Sequence, residues 1–138
     1  MLTSAQCLKV IGPPELERDM VVWMVPSELR FNALPKKIYC NKRMIPALSK
    51  AFQNIKTRGL EDEVKTWDGC FNIRKKRGGS SSSLHSWGLA IDINAAWNQF
   101  GKTPTMSKEL VACFTDAGMD WGGNWATKDG MHFQARTL

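Results

Sequence analysis

The segment Gly88-Leu89-Ala90-Ile91-Asp92-Ile93 alternates without a break. Period-two patterning predicts a strand with Leu89, Ile91 and Ile93 on a buried face. Its other face carries Gly88, Ala90 and Asp92, two residues with almost no side chain beside one carboxylate. Small neighbours leave room for something to lie against that strand. Met131 to Ala135 repeats the rhythm, with Met131 and Phe133 on one face and His132 and Gln134 on the other. Any fold for this chain has to cover the apolar face of each strand.

Helical signals lie on either side of the first strand. Met44, Leu48, Phe52 and Ile55 recur at helical spacing, Pro46 suits a first turn and Gly59 a C-terminal stop, which predicts a helix over Ile45 to Thr57. Ser107 reads as an N-cap for Lys108 to Ala117, with Leu110, Val111 and Phe114 inward and Gly118 closing it. Val64 to Trp67 and Cys70 to Ile73 flank Asp68-Gly69, a dipeptide favoured in two-residue hairpin turns. Gly12-Pro13-Pro14 stops any early helix, and Met20 to Val25 reads as a buried strand ended by Pro26. Helices and strands alternate without a βαβ rhythm, so the class is α+β, a small, mostly antiparallel sheet with flanking helices. The 138 residues form one domain, 1–138, with 1–39 as an N-terminal extension packed on it.

Nineteen Lys and Arg against 13 Asp and Glu give a net charge of +6, which attracts polyanions: nucleic acid, anionic lipid or acidic wall polymers. Lys36-Lys37, Lys42-Arg43 and Arg74 to Arg77 would be the contact patches of a non-catalytic basic binding module. No nucleic-acid fold signature accompanies them, so no nucleic-acid partner is expected. The longest wholly apolar run, Met20 to Val25, is six residues, far below the ~18 needed to span a bilayer. No basic segment followed by an apolar run opens the chain, so the expectation is synthesis in the cytoplasm without a signal peptide. Cys7, Cys40, Cys70 and Cys113 form no C-x-x-C knuckle and read as free, mostly buried thiols.

There are two histidines. His85 stands seven residues before Asp92, and in an extended strand the two would be about 23 Å apart on opposite faces. They can share a ligand only if the chain bends between them, which Gly88 allows. His132 has Asp129 three residues before it and Gly130 as the turn. Two imidazoles, one carboxylate and an open position for water make a common catalytic zinc pattern, with a further carboxylate needed to move the proton. Spacing alone leaves a second reading standing: hydrogen-bonded structural histidines, with the aspartates as turn and cap residues.

Ser83-Leu84-His85-Ser86-Trp87-Gly88-Leu89-Ala90-Ile91-Asp92 resembles the S-x-H-x-x-G-x-A-x-D signature of the LAS-type zinc peptidases, peptidase family M15. These are the VanY- and VanX-like D-Ala-D-Ala carboxypeptidases and dipeptidases and the phage L-alanyl-D-glutamate endopeptidases. Asp129-Gly130-Met131-His132-Phe133 resembles the family's terminal D-G-x-H element, and Trp121-Gly122-Gly123-x-Trp125 its approach. The likeness runs from about Cys40 to Gln134.

The resemblance implies a hedgehog-like α+β fold, Zn2+ held by His85, Asp92 and His132, and Asp129 as general base. It further implies that Arg74 binds substrate and stabilises the oxyanion. Ser83 shapes the loop and, with Trp87 and Trp125, lines the substrate groove. The implied partner is the peptidoglycan stem peptide, met by a monomer with no stable membrane insertion. The favoured activity is the L-Ala-D-Glu endopeptidase of a phage endolysin, made in the host cytoplasm and acting on the wall after release. D-Ala-D-Ala carboxypeptidase or dipeptidase activity is the alternative. One position departs from the family pattern: Gln134 stands where the resemblance leads one to expect Glu, which removes a charge near the last histidine.

Overall fold

The computed structural model describes all 138 residues, Met1–Leu138. Three α-helices and six strands follow the order α1 (Ser4–Val10), β1 (Met20–Met24), β2 (Lys37–Asn41), α2 (Ile45–Thr57), β3 (Trp67–Gly69), β4 (Ala90–Ile93), α3 (Lys108–Thr115), β5 (Met119–Trp121) and β6 (His132–Ala135). The strands make an antiparallel ribbon, β1-β2, and a four-stranded antiparallel sheet in the order β3-β4-β6-β5. The architecture is α+β, compatible with a small peptidase fold of the expected kind.

The two longer helices form where local chemistry places them. In α2 Leu48, Ala51, Phe52 and Ile55 are buried at a helical repeat and Pro46 lies in the first turn, while Gly59 follows the C-cap at φ +68°. In α3 the Ser107 hydroxyl accepts from the Leu110 amide, satisfying a donor that the first turn leaves free. The helix ends at Thr115, two residues short of the expected Ala117. Asn54 on α2 donates to the Cys113 carbonyl at 3.0 Å, tying the two helices together. The apolar face of the sheet packs on them, Phe133 of β6 stacking on Phe114 of α3 at 4.2 Å between ring centroids.

Three sequence expectations are corrected. Asp68-Gly69 is not a hairpin turn: both residues lie in β3, which pairs with β4 through a bulge. The Asp68 carboxylate is drawn off to the Thr66 hydroxyl and the Ala95 amide, so it is not available to shape a turn. Met20 to Val25 is not a buried strand; β1 is a ribbon edge with Val22 59% and Met24 60% exposed, and only Val25 beyond it is fully buried. The central strand begins at Ala90 rather than Gly88, because Gly88 adopts a left-handed φ of +65° and turns the chain.

The first 39 residues share the core. One cluster of buried apolar side chains includes Leu2, Cys7 and Ile11 as well as Ile91 and Phe133. The Trp87 indole donates to the Gly12 carbonyl at 2.8 Å, and the Asn41 amide donates to the Gly88 carbonyl at 3.0 Å. The N-terminal segment and the ribbon thus brace the back of the turn that carries His85. No helix is long and apolar enough to cross a membrane.

Candidate metal centre

His85 sits in a 3-10 turn, Leu84–Trp87, capped by the Ser83 hydroxyl, which accepts from the His85 amide at 3.3 Å. Gly88 then reverses the chain into β4. A Cβ at Gly88 would lie 2.7 Å from the Met20 side chain and 2.8 Å from the Asn41 nitrogen, so both the dihedral and the close approach require glycine. The bend brings His85 back over Asp92. Asp92 pairs directly with His132 across the β4–β6 ladder, which puts both on one face beside Ala90 and Gln134.

The histidine hydrogen bonds define which nitrogens face inward. His85 Nδ1 lies 2.7 Å from the Cys70 carbonyl oxygen, which can only accept, so Nδ1 carries a proton and in the neutral ring Nε2 is bare. His132 Nε2 lies 2.9 Å from Gln134 Oε1, while the same amide's nitrogen donates to the Leu2 carbonyl. That leaves His132 Nδ1 bare. The two bare nitrogens are 3.2 Å apart, with Asp92 oxygens 3.2 Å from His85 Nε2 and 3.6 Å from His132 Nδ1. Asp129 Oδ2 stands 3.9 Å from His132 Nδ1.

Such a cluster is unsatisfied by protein atoms alone. Two imidazole lone pairs face one another, and Asp92 Oδ1 and Asp129 Oδ1 are buried without a hydrogen-bond partner. A proton answers one of these needs; a cation drawn to all of them answers the set. Ligand atoms of His85, Asp92 and His132 lie within 4.8 Å of one another, and their two-nitrogen, one-oxygen chemistry suits a zinc ion. Burial opposes ionisation of Asp92, but protons carried by His132 and His85 on these nitrogens outweigh it and hold the carboxyl well below the ordinary carboxylate range, and a cation in place of those protons acts in the same direction. At Asp129 burial dominates and, helped by the charge of Asp92, raises the carboxyl above its usual value against the pull of His132.

Cavities open on both sides of the centre. The larger, about 470 Å3, is bounded by Arg74, Ser83, Trp125, Asp129 and His132. The smaller, about 220 Å3, is bounded by Asp68, Cys70, Arg74, His85 and Asp92. Arg74 borders both, its Nη2 4.0 Å from Asp92 Oδ2. The Trp125 ring lies against His132 at 5.1 Å between centroids. The structure therefore brings together His85, Asp92, His132, Asp129, Arg74, Ser83 and Trp125. It does not bring Trp87: that side chain is 2% exposed, with its only polar atom spent on Gly12, and it lines neither cavity.

Sequence reading missed two supports. Ser86 Oγ accepts from the Arg74 amide and donates to the Arg74 carbonyl, pinning that residue's backbone. Its signal was a serine between two motif positions on a turn with no exposed side. The Cys70 carbonyl that orients His85 is backbone and leaves no mark in the residue type. Gln134 proves to be the acceptor that orients His132, a task its uncharged amide performs as a carboxylate would.

Fold and site together define a small α+β protein with a candidate His-Asp-His metal centre between two cavities. Residues 76–135, a stretch that holds His85, Asp92, Asp129 and His132, match the family model for D-alanyl-D-alanine carboxypeptidase, which supports a VanY-like peptidase of family M15. That match and the His-Asp-His cluster support a peptidase acting on peptidoglycan, with residues that could hold a metal ion. No curated protein and no solved structure matches the chain.

Proposed function

We propose that the chain is a zinc-dependent endopeptidase of the peptidoglycan stem peptide, cutting between L-Ala and D-Glu. The observation that carries the reading is the pair of bare imidazole nitrogens and the Asp92 carboxylate converging between two cavities that meet at Arg74. A centre open on both sides accepts chain on both sides of the scissile bond.

His85, Asp92 and His132 would hold the metal. Zinc bound there would supply Lewis acidity, sufficient to bring water into its ionising range at about pH 7. Asp129, made more basic by burial, takes the proton from the attacking water on its carboxylate and returns it to the leaving amine. Arg74, permanently charged and held at its backbone by Ser86, donates to the scissile carbonyl oxygen as it gains negative charge. Ser83 keeps the His85 turn in shape, and Trp125 offers a flat apolar wall to the substrate.

The experiment is digestion of purified peptidoglycan with and without chelator, with the new amino ends identified by mass spectrometry. The expected result is chelator-sensitive appearance of D-Glu amino ends. Cleavage indifferent to chelator overturns the metal assignment. The name of the matched family favours one other cut: release of D-Ala alone would make the chain a carboxypeptidase. The corresponding physiological role, that of an endolysin, predicts lysis of wall-exposed cells by the added protein.

A further inference from the structure

The larger cavity holds more positive charge than the proposed chemistry uses. Arg74, Lys76 and Arg77 line it, and its sole acidic residue is Asp129. In the reading above Arg74 serves the scissile carbonyl and Asp129 the proton. Lys76 and Arg77 remain, and neither forms an ion pair with an acid of this chain.

These two cations are placed rather than trailing. They stand at the tip of a small hairpin closed by the Ser83 amide on the Arg74 carbonyl at 2.8 Å and by the Lys76 amide on the Ser81 carbonyl at 2.8 Å. Lys75 bridges Ser82 between those bonds. The Gly79 amide turns back on the Lys76 carbonyl, with Gly78 at a left-handed φ of +71°. Arg77 rests over the Phe100 ring, 5.7 Å from its centroid, a cation–π distance, and Phe100 lines the same cavity. The smaller cavity differs, with carboxylates from Asp68 and Asp92 and Arg74 as its single arginine or lysine. The two cavities thus differ in the charge that lines them, basic residues prevailing in the larger and mixed charge in the smaller.

We propose that the larger cavity is a carboxylate subsite, in which Lys76 and Arg77 bind a free carboxylate borne by the peptide on that side of the scissile bond. The inference rests on the peptidase reading and adds the chemistry of the residue it selects. His132 and Asp129 border the same cavity, so the anion bound there is continuous with the bond being cut rather than a distant group on a wall polymer.

The test compares two synthetic stem peptides, one with its carboxylate next to the scissile bond free and the other with that group as a carboxamide. Steady-state kinetics are measured for the zinc-loaded parent, Lys76→Ala, Arg77→Ala and Arg77→Lys, with Lys50→Ala as a charge-matched control on the exposed side of α2. On the free acid, Arg77→Ala and Lys76→Ala are each expected to raise KM about tenfold, the lower end for a hydrogen bond to a charged group, with kcat little changed. Arg77→Lys recovers part of that loss, and Lys50→Ala shows none. On the carboxamide the parent loses the same factor and the alanine variants lose nothing further. Equal KM for the two peptides in the parent, or equal losses on both peptides in the variants, overturns the subsite and leaves the peptidase reading intact. Failure of the parent to cut either peptide overturns both.

Discussion

His85 Nε2 and His132 Nδ1 face each other at 3.2 Å, each ring having given its other nitrogen to an oxygen that only accepts. Cys70 and Gln134 therefore decide which lone pairs meet, and Asp92 supplies the negative charge between them. A site built this way offers two nitrogens and a carboxylate that a cation would complete.

Zinc should stabilise the folded protein through these residues. At free zinc a thousandfold above Kd the gain is about 4 kcal/mol, seen as a raised Tm. His132→Ala or His85→Ala should lose that rise together with activity, and chelation of the parent should reverse both. An equal Tm rise in the alanine variants would place the ion elsewhere.

Asp129→Asn removes the proposed proton carrier and leaves the three candidate ligand side chains in place. Turnover should fall by about 100-fold or more while zinc still binds. Kinetics paired with metal analysis of the purified variant separate this outcome from simple loss of metal.

Gln134→Leu deprives the His132 Nε2–H of its acceptor and frees the ring to rotate. Zinc affinity should fall about 10- to 100-fold in a chelator competition, the usual cost of losing such a support. Gln134→Glu keeps an acceptor at the same place and should bind zinc at least as well as the parent.

Gly88→Ala tests the bend that joins the two halves of the motif. A left-handed dihedral costs a non-glycine residue about 1–2 kcal/mol, and overpacking against Met20 and Asn41 a further ~1–3 kcal/mol. The midpoint of urea unfolding should fall accordingly, with zinc affinity reduced because the His85 turn shifts.

Alkaline pH should unfold the chain through its cysteines. Burial pushes the Cys7 and Cys40 thiols up from 9.0 to about 11. The unfolded thiols release their protons first, so stability is complete below pH ~9 and is lost as pH rises toward ~11, by about 1.4 kcal/mol per unit for each group. Replacing either cysteine by alanine should flatten that limb of the stability curve. All four thiols are free and buried, so thiol reagents should label the native protein slowly at neutral pH.

What could be read from the residues alone was local. The caps and stops of α2 and α3 act within a turn of themselves, and the alternation of Ile91 and Phe133 needs no partner to be visible. The ten-residue stretch from Ser83 to Asp92 carries a loop, a turn and a strand in one motif, so the candidate ligands were legible, including the need for a bend at Gly88. Tertiary contacts decided the rest. Asp68-Gly69 has the local chemistry of a turn but was claimed by β4 and the Ala95 amide, and a pairing energy spread over a ladder outweighs a two-residue preference. Trp87 sits inside the motif yet points into the core, because Gly12, 75 residues earlier, accepts its indole proton. The inward nitrogen of His85, the hold of Ser86 on Arg74 and the cavities on either side of Asp92 depend on groups apart in the chain, whereas His132 is turned by Gln134 on its own strand. Residue types and spacing determined what chemistry this protein can hold; only tertiary packing, which sets the Cys70 carbonyl against His85 and the β4–β6 pairing, decided which way that chemistry faces.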